Sequence, residues 1–337
     1  MIKKISLLMI VIFLLAGCKG FTTEKHPITN VDIYKGTDAL KMDFLKNAPP
    51  KEVFEDTLFK AAIELRNNGA FDIKSGYLTL TLEDDYISID EWPVKKPLVA
   101  IEGDGRMIFD LEGKSLINPE GDYDITEITL KAKKMEKDEL SETHPTSILA
   151  TACYAYQTKA TETACIDTDI HNLKETEKVC TIDEKGKSLA SQGAPVAVTN
   201  IETEILPKDD NSVTPYFIIH IKNKGNGIVI GYDKVKEVCS YGPIKSDDFN
   251  RVEVNAYLSK SDKEGEEGKQ LDCDQELEGI NSGKAMLKDN KEDSVRCVLN
   301  EGIDKSLGTY STPLYIELDY GYTSTISGEL TIKKILS

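Results

Sequence analysis

The sequence is poor in residues that do chemistry. It holds one Trp and four His among 337 residues, and 41 basic side chains stand against 58 acidic ones. A formal net charge of −17 excludes nucleic acid and anionic lipid headgroups as natural partners, since like charges repel. His26, His144, His171 and His220 have no second His or Cys at ligand spacing. His26 and His171 fall in linkers, and His144 precedes Pro145 in a loop. His220 sits in a strand, facing away from Ile219 and Ile221. All four read as surface histidines.

The known nucleotide and nucleophile motifs are missing too. Gly113-Lys114-Ser115 and Gly186-Lys187-Ser188 lack the glycine a phosphate loop needs five residues upstream, where Ile108 and Thr181 stand. The stretch GNGIVI, residues 225–230, has Ile230 in place of the third glycine of a dinucleotide loop, and the residues after it read as strand and turn. There is no G-x-S-x-G elbow. The sequence therefore predicts no cofactor and no enzyme.

Long apolar runs are absent, with one exception at the start. Lys3 and Lys4 precede an apolar run from Ile5 to Leu15, interrupted only by Ser6. That is too short for a bilayer span, which takes roughly 20 residues. It has the form of a secretory signal peptide. The run ends in Leu15-Ala16-Gly17-Cys18, which resembles the lipobox of prokaryotic lipoproteins. The resemblance implies cleavage before Cys18 and a diacylglyceryl group on its sulfur. Two acyl chains suffice for stable attachment, so the expected protein is anchored to a membrane and faces the periplasm or cell exterior. Removing residues 1–17 takes away two lysines and no acids, so the net charge moves from −17 to −19.

Six cysteines remain: Cys153, Cys165, Cys180, Cys239, Cys273 and Cys297. None stands in the C-x-x-C spacing of a zinc ribbon or redox motif. An even count on an exported chain favours disulfides. The best local pairs are Cys165 with Cys180 and Cys273 with Cys297. Cys153 and Cys239 are then left to close a link between domains. Cys153 with Cys165, across a hairpin, competes, and six cysteines allow 15 pairings.

Short segments with period-two alternation, such as YLTLTL (residues 77–82) and DITEITLKAK (124–133), alternate with turns such as NNG and NPEGD. This predicts an all-β chain of antiparallel β-sandwiches. KEVFEDTLFKAAIELR, residues 51–66, can be drawn as a helix, but a turn and a strand fit at least as well.

Two stretches recur. IELRNNG, Ile63 to Gly69, matches IHIKNKG, Ile219 to Gly225, at an offset of 156. CYAYQTKATETACI, from Cys153, matches DYGYTSTISGELTI, from Asp319, at an offset of 166. The order is the same in both halves, and a polar insertion at Ser259 to Gln270 accounts for the extra ten residues. The expected plan is a signal peptide (1–17), a lipidated tether (18–35), a first sandwich (36–168), a linker (169–194) and a second sandwich (195–337). Phe59 to Gly69 and Phe217 to Gly225 resemble the second strand of CARDB-like and related immunoglobulin-like domains of prokaryotic cell-surface proteins. That resemblance implies tandem β-sandwiches with a role in surface contacts and no catalytic residues.

Candidate sites are few. Asp167 and Asp169, where the first domain ends, are the best calcium candidates, because calcium takes six to eight oxygens. Tyr154 with Tyr156 and Tyr320 with Tyr322 each share a strand face and could form a sugar-stacking platform, though packing the sandwich with the hydroxyl at its edge is the plainer role. Trp92 could anchor a partner or cover a hydrophobic edge. The expected function is a lipid-anchored, non-catalytic spacer and interaction module for an envelope protein or glycan. Alternatives are a structural subunit of an envelope assembly and, more remotely, a hydrolase with an acidic dyad.

Overall fold

The computed structural model describes residues 33–93, 99–100, 105–136, 141–171, 177–240, 243–259, 268–273 and 283–335. Cys18, His26 and most of the Ser259–Gln270 stretch lie outside them. The first half builds β1 (Leu40–Phe44), β2 (Glu52–Phe54), β3 (Leu58–Asn67), β4 (Ile73–Thr81), β5 (Ile87–Glu91), β6 (Val99–Ala100), β7 (Arg106–Leu111), β8 (Tyr123–Ala132) and β9 (Thr143–Ile166). The second builds β10 (Lys187–Ser188), β11 (Val196–Pro207), β12 (Ser212–Asn223), β13 (Ile228–Ile230), the short helix α1 (Val235–Val238), β14 (Arg251–Leu258), β15 (Lys269–Gln270), β16 (Lys284–Met286), β17 (Glu292–Val298), β18 (Ile303–Asp304) and β19 (Tyr310–Lys333). The chain is all-β and its strand pairs are antiparallel, apart from the parallel pairing of β2 with β19. Residues 51–66 form β2 and β3 rather than a helix.

Alternation explains the layers. Along β14 every second residue is buried, and β12 and β19 follow the same rule over most of their length. Two small sheets, β1-β3-β8-β5 and β10-β11-β12-β17, pack on the inner face of a ten-stranded sheet that runs β15-β14-β19-β9-β4-β7-β6 along its main path. The apolar residues of both halves merge into one large core cluster.

β9 and β19, 24 residues each, join the halves and pair along their whole length. Tyr154 faces Tyr322, Tyr156 faces Tyr320, and Ala155 faces Gly321. These are the positions matched in the sequence, so exchanging the halves maps the ladder onto itself. A local two-fold axis passes between Ala155 and Gly321. The same register recurs away from the axis, with Leu40 opposite Asn67 and Val196 opposite Asn223.

The pairing also relocates the extra length of the second half. Tyr77 faces Cys153 and Glu253 faces Asp319, so the offset is already 176 at β14, before Ser259. The expectation of an insertion at Ser259–Gln270 is thus corrected. The added residues lie between β13 and β14, where the chain leaves the sheet, forms α1, and returns. Later, Thr126 faces Ile63 and Val295 faces Ile219, an offset of 169. The second half therefore recovers some of the difference by shorter connections.

The expected linker is partly built into the fold. β10 pairs with β11, Gln192 and Ala194 are buried, and the Gly193 carbonyl accepts from the Ala70 amide at 2.8 Å.

Candidate functional site

At the two-fold axis the four tyrosines form one inner-face cluster, with ring centroids 5.8–6.4 Å apart. Tyr154, Tyr156 and Tyr320 are fully buried and Tyr322 nearly so. A sugar-stacking platform is therefore ruled out for these residues: their strand face is the one the small sheets cover. Burial pushes the Tyr154 and Tyr320 hydroxyls well above the ordinary tyrosine range and that of Tyr322 up to about 12.

Their hydroxyls explain the recurring N-x-G. Tyr156 Oη donates to Asn67 Oδ1 at 3.4 Å and accepts from the Phe71 amide at 3.2 Å, while Asn67 Oδ1 accepts from the Gly69 amide at 3.1 Å. Tyr322, Asn223, Gly225 and Gly227 repeat this bond for bond, at 3.2, 2.8 and 3.1 Å. A Cβ on Gly69 would lie 1.9 Å from the Tyr156 oxygen, and one on Gly225 would lie 2.4 Å from that of Tyr322. Glycine is needed there for close approach.

The cysteines are bonded as Cys153–Cys239, Cys165–Cys180 and Cys273–Cys297. Three such bonds belong to an oxidising, extracytoplasmic environment. Among the described residues no helix is long and apolar enough to cross a membrane. Cys153–Cys239 ties α1 to β9, on the outer face of the large sheet. There Ile230, Val235 and the two cysteines form a small separate core against Tyr77, Ala155 and Phe249. The Arg106 guanidinium lies over Tyr77 and donates to the Lys236 carbonyl at 3.1 Å.

The calcium expectation fails at Asp167. Its Oδ2 accepts from Lys178 Nζ at 2.5 Å, and its Oδ1 accepts from the Asp169 amide at 3.0 Å and the Thr309 hydroxyl at 3.1 Å. Burial alone would raise this carboxyl, but those donors and the ammonium charge hold it below the usual Asp range. The described residues contain no cluster of three or more His, Cys, Asp or Glu placed to share a metal ion. Trp92 is half-buried against the core, in the covering role. His144, expected in a loop, instead stands at the start of β9. It stacks on Tyr86 at 3.6 Å, and its Nε2 meets Glu83 Oε2 at 3.0 Å. His220 does face outward, bonding Glu202 at 2.7 Å between buried Ile219 and Ile221.

α1 divides the outer face of the large sheet into two patches. On the first-half side lies an open groove of about 980 Å³. Its floor is Pro145, Ser147 and Leu149 of β9 with Glu329 and Thr331 of β19, and its rims are Lys51–Glu52 and Leu82–Glu83. Glu83 is oriented by His144 and by the Thr146 hydroxyl, at 2.9 Å, and the His144 hydrogen bond foremost lowers its carboxyl below the usual Glu range. On the other side, Tyr257 of β14 stands opposite Tyr315 of β19, both half-buried. Beside them Gln157 Nε2 donates to Asp319 Oδ1 at 2.7 Å, and Asn255 lies near the other Asp319 oxygen. No sequence motif singles out Tyr257 and Tyr315. Strict alternation is the signal that marks them: each falls one position out of phase with buried neighbours. Both patches offer hydroxyl and carboxylate groups, and the second adds the amides of Gln157 and Asn255, so each is suited to hydrogen-bonding a partner surface.

No family model and no curated sequence matches the chain. Among solved structures it is similar to a chain of a type I cohesin–dockerin complex from Clostridium thermocellum, at 16% identity over 36% of this chain and 85% of that one, with a TM-score of 0.24. It is also similar to the secreted serine protease VesC from Vibrio cholerae, at 10% identity over 84% and 50%, with a TM-score of 0.19. A third is a DUF4466 family protein from Parabacteroides merdae, at 9% identity over 83% and 99%, with a TM-score of 0.15. Likenesses this distant carry no argument about activity.

Proposed function

We propose that the chain is an exported lipoprotein, tied to a membrane through Cys18, whose halves are tandem copies of an immunoglobulin-like domain. They serve as a spacer and as a non-catalytic binding module for an envelope protein or glycan. The observation that carries this reading is the outer face of the ten-stranded sheet. It is wide and mixes hydroxyl and carboxylate groups with apolar side chains, with a groove of about 980 Å³. Hydroxyl and carboxylate side chains fixed on a sheet face can hydrogen-bond the amides or hydroxyls of a partner, and a sheet edge can add a partner's strand. Three disulfides and the lipobox support the location.

The test is co-sedimentation of the protein with its own purified cell envelope. A Ser147→Trp variant, which fills the groove, is expected to lose at least tenfold in binding while keeping its melting temperature. Prior protease treatment of the envelope separates a protein partner from a glycan. Binding unchanged by Ser147→Trp, and by Tyr315→Ala on the other patch, would sink the reading.

A further inference from the structure

We propose that the tip of the β7–β8 loop, Leu116–Ile117, touches the membrane and enters the boundary between lipid headgroups and acyl chains. This rests on the lipoprotein reading above. Ile117 is 98% exposed and Leu116 is 56% exposed. No other large apolar side chain among the described residues is as exposed as Ile117, and Leu116 beside it makes the pair a contiguous apolar tip.

The tip is held out by its own loop. The Ser115 amide donates to the Asn118 carbonyl at 2.9 Å, the Asn118 amide to the Ser115 hydroxyl at 2.9 Å, and the Gly121 amide to the Asn118 carbonyl at 3.2 Å. These bonds satisfy polar groups on either side of the tip, which lowers the cost of bringing it to the headgroup boundary.

Its place in the fold selects the lipid as occupant. The Lys114 amide bonds the Gly69 carbonyl at 2.7 Å, and the adjoining Ala70 amide bonds that of Gly193 at 2.8 Å. Gly193 in turn abuts the Ile33 carbonyl and Tyr34. The loop base therefore sits beside the point where the chain arrives from Cys18. Fourteen residues separate Cys18 from Ile33, an r.m.s. span of about 20 Å for a random chain of that length. A tether that short holds this end of the fold against the bilayer. Tyr34, beside Gly193, and Tyr123, at the start of β8 with the Arg66 guanidinium over its ring, are about half exposed, so tyrosines border the loop base as they do at membrane interfaces. Along the chain Lys114 precedes the tip and Glu120, Asp122 and Asp124 follow it, so the surface that suits this loop is zwitterionic.

The other half supplies a contrast. There the connection from β16 to β17 is Leu287-Lys288-Asp289-Asn290-Lys291, in which Leu287 is buried and the other four residues are polar. The apolar tip exists only in the half that carries the tether.

The experiment uses the full chain, purified from membranes and reconstituted in phosphatidylcholine vesicles. Ile117→Trp is compared with Leu307→Trp, an exposed site just before β19, each after subtracting the native Trp92 signal. Lipid brominated near the headgroup is expected to quench Ile117→Trp at least threefold more than Leu307→Trp. Equal quenching with a lipidated Cys18, seen by mass spectrometry, would overturn the proposal and leave the anchor reading standing. A Cys18 without lipid would overturn both.

Discussion

Asn67 and Asn223 occupy matched positions in different surroundings, and that difference sets what each is worth. Asn67 is fully buried. Its amide donates to the Phe71 and Leu111 carbonyls, at 2.8 and 3.2 Å, while its oxygen serves Gly69 and Tyr156. Asn223 is half-buried and donates to one carbonyl, that of Gly227 at 3.0 Å. Leaving buried polar groups unmatched costs about 1–3 kcal/mol each. Asn67→Ala is therefore expected to destabilise by about 2–3 kcal/mol and Asn223→Ala by about 1 kcal/mol in urea unfolding. Equal losses would contradict this difference in worth. The recurring N-x-G is legible as a turn. Its bond to a tyrosine is not, because Tyr156 lies 89 positions from Asn67. Asp167 gives a pH prediction. Its folded-state carboxyl is held low, so its contribution is complete above the unfolded Asp value of about 3.9 and is lost as pH falls through the folded value. Amide protection factors around residues 167–169, taken against the intrinsic exchange rate at each pH, should fall in acid below about pH 4, and Asp167→Asn should remove that dependence.

Among elements, the excursion between β13 and β14 is the main departure from two-fold symmetry. The strand ladder cannot be read from the sequence, so polarity alone points to Ser259–Gln270 as the source of the length difference. Polarity marks loops, but it does not mark which loop was lengthened. The cysteines are easier to read, because local spacing favours short closures. What spacing alone cannot give is their weight. Cys153–Cys239 closes 86 residues and Cys165–Cys180 closes 15. By loop-closure entropy the first stabilises by about 4–5 kcal/mol and the second by about 3 kcal/mol. Paired replacement by Ser should give losses in that order, measured as shifts in urea midpoint. The reverse order would show that packing around α1, not chain constraint, dominates. The strand conformation of residues 58–66 fits their burial: Ala61, Ile63 and Leu65 are fully buried at alternate positions.

At the scale of the molecule, alternation makes the all-β class legible, whereas the joining of the halves is not. Period two tells which face of a strand is buried but says nothing about which strand lies beside it. By sequence β9 and β19 close two separate sandwiches, yet they pair with each other and draw both halves onto a shared core. The chain is expected to unfold in one calorimetric transition, with the van't Hoff and calorimetric enthalpies equal. Two resolved transitions would show that each half holds its own fold. The same ladder has a mechanical consequence. Twenty-four residues per strand span about 80 Å. A pull that slides one half past the other along the strands loads all the rungs of that ladder together, so no rung can fail first and let the rest follow. A chain built this way transmits tension along its strands as one stiff body, where two beads on a string would stretch at the joint.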